Sequence, residues 1–530
     1  MIYTEMTKKA LKLSFEAHKD RMDKGGSPYV YHPFHLAEQM TNEDTVITAL
    51  LHDIVEDSDY TLSDLQSMGF NKTVCDALAL LTYDGKEPYL DYIARIKDNP
   101  VAKAVKLADL RHNSDMTRLD NIDEKALSRA EKYRSAIALL TGAAALKQEI
   151  RQELETHILP FWDSLCDYEK GGFYGYMDSA LGLDKNAPKG VILHSRILWF
   201  YSNCYLTLGR NDCLEKAKHA FDFLNKYCVD RENGGVYWMV NADGTVNDDL
   251  KHTYCQSFFI YAMSSYYDAS GDKAALDLAM SVFDTVETKC TDEVAYLEAQ
   301  SREFKLVPNE FLSENGVMAD KTMNTVLHLT EAYTELYRVS KDARVLSRLK
   351  FLLDLTYDKI YDKENSKLFV FFDRSMNVLG DIHSYGHDIE ATWLLDRACD
   401  IINDPALTAK ITSMNEKIVA KIADVAFENG ALNNQRVDSE IDKWRVWWVQ
   451  AETVVGFLNA VQRYGEPKYR RIAEEVWQYI KENIVDKRQG GEWHSQVNEQ
   501  GVPDSKPVVE PWKCPYHNGR MCLEVINREA

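Results

Sequence analysis

The chain has 530 residues, with 62 Lys and Arg against 83 Asp and Glu, a formal net charge of −21. Hydrophobic residues make up 45% and charged residues 27%, which excludes wholesale disorder, and the length calls for more than one domain. Acidity runs through both halves, so no basic arm or patch marks a polyanion surface, which argues against nucleic acid as the main partner.

Ten cysteines are scattered without a CxxC pair, as expected of reduced thiols in a cytoplasmic protein. The opening residues, Met1 to Lys9, lack the apolar core of a signal peptide. No run approaches the roughly 18 to 20 apolar residues of a membrane span, so no membrane partner is expected.

All ten tryptophans lie between Trp162 and Trp512, and near the change in composition sits the small-residue stretch Thr141-Gly142-Ala143-Ala144-Ala145. The boundary is placed at about 143–147, giving domains of 1–142 and 146–530. Both read as all-α.

The first segment opens with a helix whose apolar positions are Ala10, Leu11 and Phe15. Turns follow at Ser27-Pro28 and Asp84-Gly85, and Val46 to Val55 reads as one buried helix. Within that helix, His52-Asp53 places two expensive polar groups where burial demands a partner. With His32 and Asp109 they make two histidines and two aspartates, a mixed N/O set suited to Mn²⁺, Fe²⁺ or Zn²⁺. Glu56 and Asp57, one turn on, are placed to hold a water. Taken singly, each of these residues is more often an ordinary core or surface group.

These motifs, Tyr29-x-x-His32-Pro33, His52-Asp53-x-x-Glu56-Asp57 and Lys106-Leu107-Ala108-Asp109 with Asn113, resemble the HD domain of RelA/SpoT-type alarmone hydrolases. The resemblance implies Mn²⁺ on His32, His52, Asp53 and Asp109, with Glu56 and Asp57 serving the attacking water and a guanosine nucleotide as partner. One departure is visible: the family has Asp-Arg-Leu-His-Asn where this chain has Asp109-Leu110-Arg111-His112-Asn113. The ligands survive the swap, whereas the nucleotide specificity does not follow from it.

The second segment repeats. Glycine-bearing turns followed by aromatic or extended residues recur at Gly171-Gly172, Gly234-Gly235, Asn429-Gly430 and Gly490-Gly491, with a glycine-free version at Lys367-Leu368. The spacing is about 60 residues, and long helical patterns such as Met323 to Tyr337 and Val446 to Val461 fill the intervals. Six helical hairpins are expected, an (α/α)6 barrel of two concentric rings; a looser helical solenoid is the alternative.

Polar clusters fall where such helices face inward. Asn324 and His328 share a face at i,i+4; His387, Glu390 and Trp393 step by three; Arg445, Trp448 and Glu452 group together. His194-Ser195-Arg196 leads an apolar helix, and His517 follows Trp512. A lone histidine beside aromatics is usually a hydrogen-bonded core residue, and tryptophans at helical spacing are usually core. Collected in one acidic, aromatic-rich barrel, they suit a carbohydrate, which needs flat apolar faces and paired donors and acceptors. Paired carboxylates could serve glycoside hydrolysis, but several histidines favour proton transfer near neutrality. No Gly-rich nucleotide loop accompanies them.

From about 147 to 530 the chain closely resembles the disaccharide-converting branch of the N-acylglucosamine 2-epimerase family. The likeness is carried by Gly171-Gly172-Phe173-Tyr174-Gly175, His194 to Trp199, Lys251-His252-Thr253-Tyr254, Ala319 to Asn324, His383 to Glu390 and Cys514 to Arg520. It implies the (α/α)6 fold and reversible inversion at carbon 2 of the reducing sugar of β-1,4-linked disaccharides: cellobiose to glucosyl-mannose, lactose to epilactose. No cofactor is implied for this domain. His387 and His517 would remove and return the proton through a cis-enediolate, and Arg196, His328 and Tyr254 would stabilise the oxyanion. Glu390 and Glu452 would orient the histidines, while Asn324, Trp393, Trp448 and Trp512 would bind the sugars. The alternatives are an N-acylglucosamine 2-epimerase or mannose isomerase, or a phosphohydrolase whose barrel only senses sugar.

Overall fold

The computed structural model describes residues 2–23, 26–118, 124–312 and 316–528. The chain divides into two compact units, the first holding residues up to Glu149 and the second Ile150–Asn527. The division falls within the helix Ala143–Glu153 rather than at the Gly142 seam. Among the described residues no helix is long and apolar enough to cross a membrane, and all ten cysteines are buried free thiols.

The first unit is a helical bundle around Glu43–Leu51, in which every residue from Thr45 to Leu51 is buried. Asn42 caps it by accepting the Thr45 N–H, and Asn71 and Asn99 begin Lys72–Leu81 and Pro100–Ser114 the same way. Glu5–His18, Tyr31–Glu38, Lys72–Leu81 and Pro100–Ser114 pack against the central helix. Two expectations change here. The buried stripe of the opening helix is Thr7, Ala10, Ser14 and His18, while Phe15 is exposed; Phe15 sits five residues past Ala10, well off that face. The helix expected over 46–55 stops at Leu51 and resumes as Ile54–Asp57, with Asp53 at φ −99°, ψ 0° in the break. The break turns the His52 and Asp53 side chains to one place.

The second unit is a closed double ring. Its inner helices are Val191–Leu208, Thr253–Ser270, Met323–Ser340, Tyr385–Ile402, Trp447–Tyr464 and Tyr516–Asn527. Each packs on the next, and the sixth packs on both the fifth and the first, so the ring closes and the looser solenoid is excluded. The outer helices run antiparallel between them, for example Asn211–Phe223, Lys273–Lys289, Ala343–Leu355, Pro405–Val425 and Pro467–Tyr479. Inner helices are buried nearly all round and outer helices along one stripe, as two concentric layers require.

Six outer-to-inner turns share one local design, a two-residue β-bridge: Cys166 with Phe173, Val229 with Val236, Thr291 with Tyr296, Tyr361 with Leu368, Phe427 with Leu432 and Val485 with Trp493. Only the first, second and sixth carry paired glycines; the third and fourth have none. Where they occur, as at Gly171 and Gly172 (φ +86° and +68°), they supply left-handed backbone, and a Cβ on Gly172 would lie 2.8 Å from His194 Nε2. The unit is a helical barrel as expected, with short strands of two or three residues preceding inner helices, such as Lys251–His252 and Ile382–Ser384. They pair the backbone groups of connections buried at that end of the barrel.

Several of these turns are tied to the inner helix by a buried polar side chain near the helix start. His194 accepts the Phe173 N–H, Gln256 both accepts the Val236 N–H (2.7 Å) and donates to its carbonyl (2.9 Å), and Gln450 does the same for Leu432. His194, expected near the chemistry, is thus a structural residue: its other nitrogen donates to Gly190 O, and burial lowers it to about 3. Gln256→Leu leaves two backbone groups unpaired, each costing about 1–3 kcal/mol. Urea unfolding should show that loss as a lower midpoint with an unchanged slope.

Candidate active site

A cavity of about 750 Å³ opens at the end of the barrel where the inner helices begin. Because each inner helix starts at the same level, its sixth residue falls at the same depth. Arg196, Phe258, His328, Glu390 and Glu452 hold this place in the first five helices, and Arg520 is the fifth residue of the last.

His387, His517 and His328 all line the cavity, and each is held through its Nδ1. Glu452 accepts from His517 (2.8 Å), Glu331 accepts from His328 (2.9 Å), and Ser384 Oγ lies 2.7 Å from His387. The nitrogen left for a ligand is Nε2 in every case. His387 and His517 flank one tryptophan, with ring centres 4.7 and 5.5 Å from Trp448. That tryptophan lies against Gly386, where a Cβ would come within 2.6 Å of its ring. Burial lowers His387 to about 3, and burial together with Arg520 and Arg196 holds His517 well below its ordinary range. Both shifts favour the neutral imidazole.

The opposite wall carries Arg196, Tyr254 and Asn324. Arg196 is buried, donates to Tyr254 Oη (2.8 Å) and the Trp512 carbonyl (3.2 Å), and lies 4.1 Å from the Phe258 ring centre. His328 belongs to this side, with its ring centre 5.1 Å from Tyr254. Trp448 and Trp512, both half-buried, offer aromatic faces to the cavity.

Two expected residues sit elsewhere. Trp393 is only 2% exposed, donates its indole N–H to Glu452 Oε2 (3.0 Å) and does not reach the cavity, so it braces a carboxylate rather than a sugar. Glu452 lies behind His517 and orients it. Arg445, grouped with these residues in the sequence, instead bonds Asn433 near the strand Arg445–Val446. Glu390 does line the cavity, and its Oε2 has no hydrogen-bond partner. Burial and the neighbouring Glu452 push it up to about 8.

Sequence reasoning missed the group that joins these parts. Arg520, fully buried, donates to Glu331, Glu390 and Glu452 (2.7 Å), and Tyr516 donates to Glu331 (2.6 Å). Against its burial, Arg520 and His328 keep Glu331 down at about 2. The available signal was spacing: Glu331 is three residues after His328, and Arg520 three after His517. Glu390, Glu452 and His517 converge closely enough for a metal, but the Arg520 guanidinium already meets that charge.

The first unit holds a second centre. His32, His52 and Asp109 each present a ligand atom within 4.8 Å of the others, and Asp53 Oδ2 lies 3.0 Å from His52 Nε2. His52 Nδ1 donates to the Ala49 carbonyl (2.9 Å). Arg118 donates to His112 Nδ1 (3.0 Å), which makes that nitrogen an acceptor and His32 Nδ1 (2.7 Å away) a donor. Both Nε2 lone pairs therefore face each other at 3.3 Å, with Asp109 Oδ1 at 3.3 Å from His32. Tyr29 bonds Asp53, and Lys106 (2.9 Å) and Asn113 (2.5 Å) bond Asp109. A cavity of about 460 Å³ adjoins, lined by His32, Asp57, Arg21, Arg118 and Arg129. Glu56 departs from expectation: its carboxylate accepts the Tyr83 N–H (2.6 Å), and it is not among the residues that line this cavity.

Residues 171–519 match the N-acylglucosamine 2-epimerase (GlcNAc 2-epimerase) family. Over 381 residues, 72% of this chain and 98% of the relative, the chain is 58% identical to a cellobiose 2-epimerase of Ruminococcus albus. It is 44% identical to that of Eubacterium cellulosolvens over 72% of this chain and 98% of the relative. Among solved structures, cellobiose 2-epimerase from Bacillus thermoamylovorans superimposes with a TM-score of 0.71 at 43% identity, covering 73% of this chain and all of that one (100%). With the closed barrel and its histidine-lined cavity, these likenesses show that the chain belongs to the N-acylglucosamine 2-epimerase family.

Proposed function

We propose that the second unit interconverts β-1,4-linked disaccharides that differ at carbon 2 of the reducing sugar, cellobiose and glucosyl-mannose or lactose and epilactose. The observation that carries this reading is the pair of buried imidazoles, His387 and His517, that line one cavity beside Trp448. In the open-chain sugar the aldehyde acidifies the hydrogen on carbon 2. One imidazole Nε2 takes that proton, the electron pair moves into a cis-enediolate, and the other imidazole, which enters the step as the imidazolium with a proton drawn from solvent, delivers that proton to the opposite face. Arg196 and Tyr254 stabilise charge at the carbonyl oxygen. Glu452 steadies the His517 cation as it forms, Asn324 meets a hydroxyl, and Trp448 and Trp512 stack on the rings. The chemistry needs only proton transfer, so no cofactor enters it.

His387→Asn or His517→Asn should lower epimer formation at least about 10²-fold while leaving the melting temperature near that of the parent. Proton NMR of cellobiose reads this as a new mannose-type anomeric signal; substantial conversion by either variant removes that residue from the mechanism. Glu390 is protonated below about pH 8 and becomes a second buried anion beside Glu452 above it. The profile of kcat/KM should therefore fall on the alkaline side near that pH. The residual activity of Glu390→Gln should lack this limb.

A second reading, for the first unit, is a metal-dependent phosphohydrolase acting on a nucleotide pyrophosphate. Two facing lone pairs and two carboxylates need a cation, and the donor set suits Mn²⁺ on His32, His52, Asp53 and Asp109. When bound, a divalent cation supplies Lewis acidity there at neutral pH. Arg21, Arg118 and Arg129 are placed to receive phosphate oxygens, and Asp57 to orient a water. Calorimetry should find one tight Mn²⁺ per chain, weakened more than about tenfold in His52→Ala, since even the partners of metal ligands are worth about 10–100-fold. Equal affinity in both proteins would dismiss the site.

A further inference from the structure

Resting on the metal-dependent reading of the first unit, we propose that its cavity takes a phosphate ester whose binding is coupled to that of the cation through His112. This histidine stands outside the donor set and is shared between His32 on one side and Arg118 on the other.

His112 Nδ1 lies 2.7 Å from His32 Nδ1, with the ring planes 28° apart. Nitrogens that close meet edge to edge, as a hydrogen bond and not a stack. Arg118 Nη1 donates to the same His112 nitrogen at 3.0 Å, while also bonding the His112 carbonyl (2.9 Å) and, through Nη2, Asp23 (2.6 Å). The Nδ1 of a neutral imidazole has one lone pair, so the two donors compete for it. Arg118 also lines the cavity, with 28% of its side chain exposed. Arg21 there is held by Asp57 (2.5 Å), whereas Arg129 has no hydrogen bond or ion pair among the described residues. Against these three arginines the lining sets Asp23, Asp57 and Asp115, so the formal charges balance and an anion alone finds little to hold it.

A phosphate in this cavity, met by Arg118 and Arg129, offers charged acceptors, which bind a guanidinium more strongly than a neutral imidazole nitrogen does. Arg118 then leaves His112 Nδ1 to His32 alone. A fuller acceptor behind the His32 Nδ1–H makes its Nε2, which faces His52 and Asp109, a stronger donor to a cation. The linkage is reciprocal. With Nε2 ligated, the His32 Nδ1–H polarises, tightens on His112 and releases Arg118 for the anion. Direct attraction between anion and cation adds to this coupling but does not depend on His112.

His112→Asn separates the two contributions, because its side-chain oxygen remains an acceptor but has two lone pairs, one for each donor. Mn²⁺ is titrated calorimetrically into the metal-stripped full chain with and without sulfate, a phosphate analogue that complexes Mn²⁺ only weakly. In the wild-type protein sulfate should tighten Mn²⁺ binding at least about fivefold. His112→Asn should bind Mn²⁺ without sulfate at least as tightly as the wild type and should lose most of the sulfate gain. In ¹⁵N-histidine spectra of the Zn²⁺-loaded wild type, sulfate should move the His112 Nδ1 resonance, which keeps the test decisive should the variant misfold. An equal sulfate gain in both proteins, or a resonance that stays put, overturns the coupling. Mn²⁺ bound tightly but indifferent to sulfate overturns this inference alone; a chain that takes no Mn²⁺ overturns the metal-dependent reading with it.

Discussion

A guanidinium in the floor of the barrel holds the site together. Arg520 has no exposure and is shared by Glu331, Glu390 and Glu452. A single buried cation among three carboxylates leaves a net charge of −2, and a proton on Glu390 reduces it to −1. The other two acids remain acceptors, and each fixes a histidine by its Nδ1. Buried ionic groups of this kind are seldom a source of net stability. Here they set the direction in which two imidazoles on different helices face.

Much of this arrangement was legible in the sequence because the barrel repeats. Glycine pairs, a period of about 60 residues and polar residues one helical turn apart located the fold and most of the cavity wall. What escaped is what periodicity cannot express. Trp393 lies three residues from Glu390 and was indistinguishable from Trp448 as a sugar platform, yet its helix turns it inward against Glu452. Glu331 looked like an ordinary helical acid, since its partners Tyr516 and Arg520 are almost 190 residues away. The third turn hid because Thr291–Tyr296 makes the same bridge without glycines. In the first unit, the His-Asp pair pointed to the ligands, but an uninterrupted helix was expected where the chain breaks after Leu51. That break also accounts for Glu56 turning to the Tyr83 N–H.

The two units solve a shared problem by opposite means. Both bring imidazoles to a buried centre and anchor each through one nitrogen. In the second unit the anchors are the carboxylates of Glu331 and Glu452 and the Ser384 hydroxyl, and the outward nitrogens face the cavity. In the first, the anchors are a backbone carbonyl and a third histidine, His112, while the carboxylates stand among the outward nitrogens. On the functions proposed above, the same residue types would serve a proton relay in one place and a cation's coordination sphere in the other.

Closure of the inner ring has a consequence for biogenesis. The helix Tyr516–Asn527 carries His517 and Arg520 and is also the element that packs on both Trp447–Tyr464 and Val191–Leu208. A ribosome therefore delivers the proton donor and its electrostatic anchor only after the other five inner helices have emerged. Until then Glu331, Glu390 and Glu452 face one another without their counter-ion, a state that resists compaction. The nascent barrel stays ajar until its last stave arrives, so assembly of the unit and appearance of activity coincide.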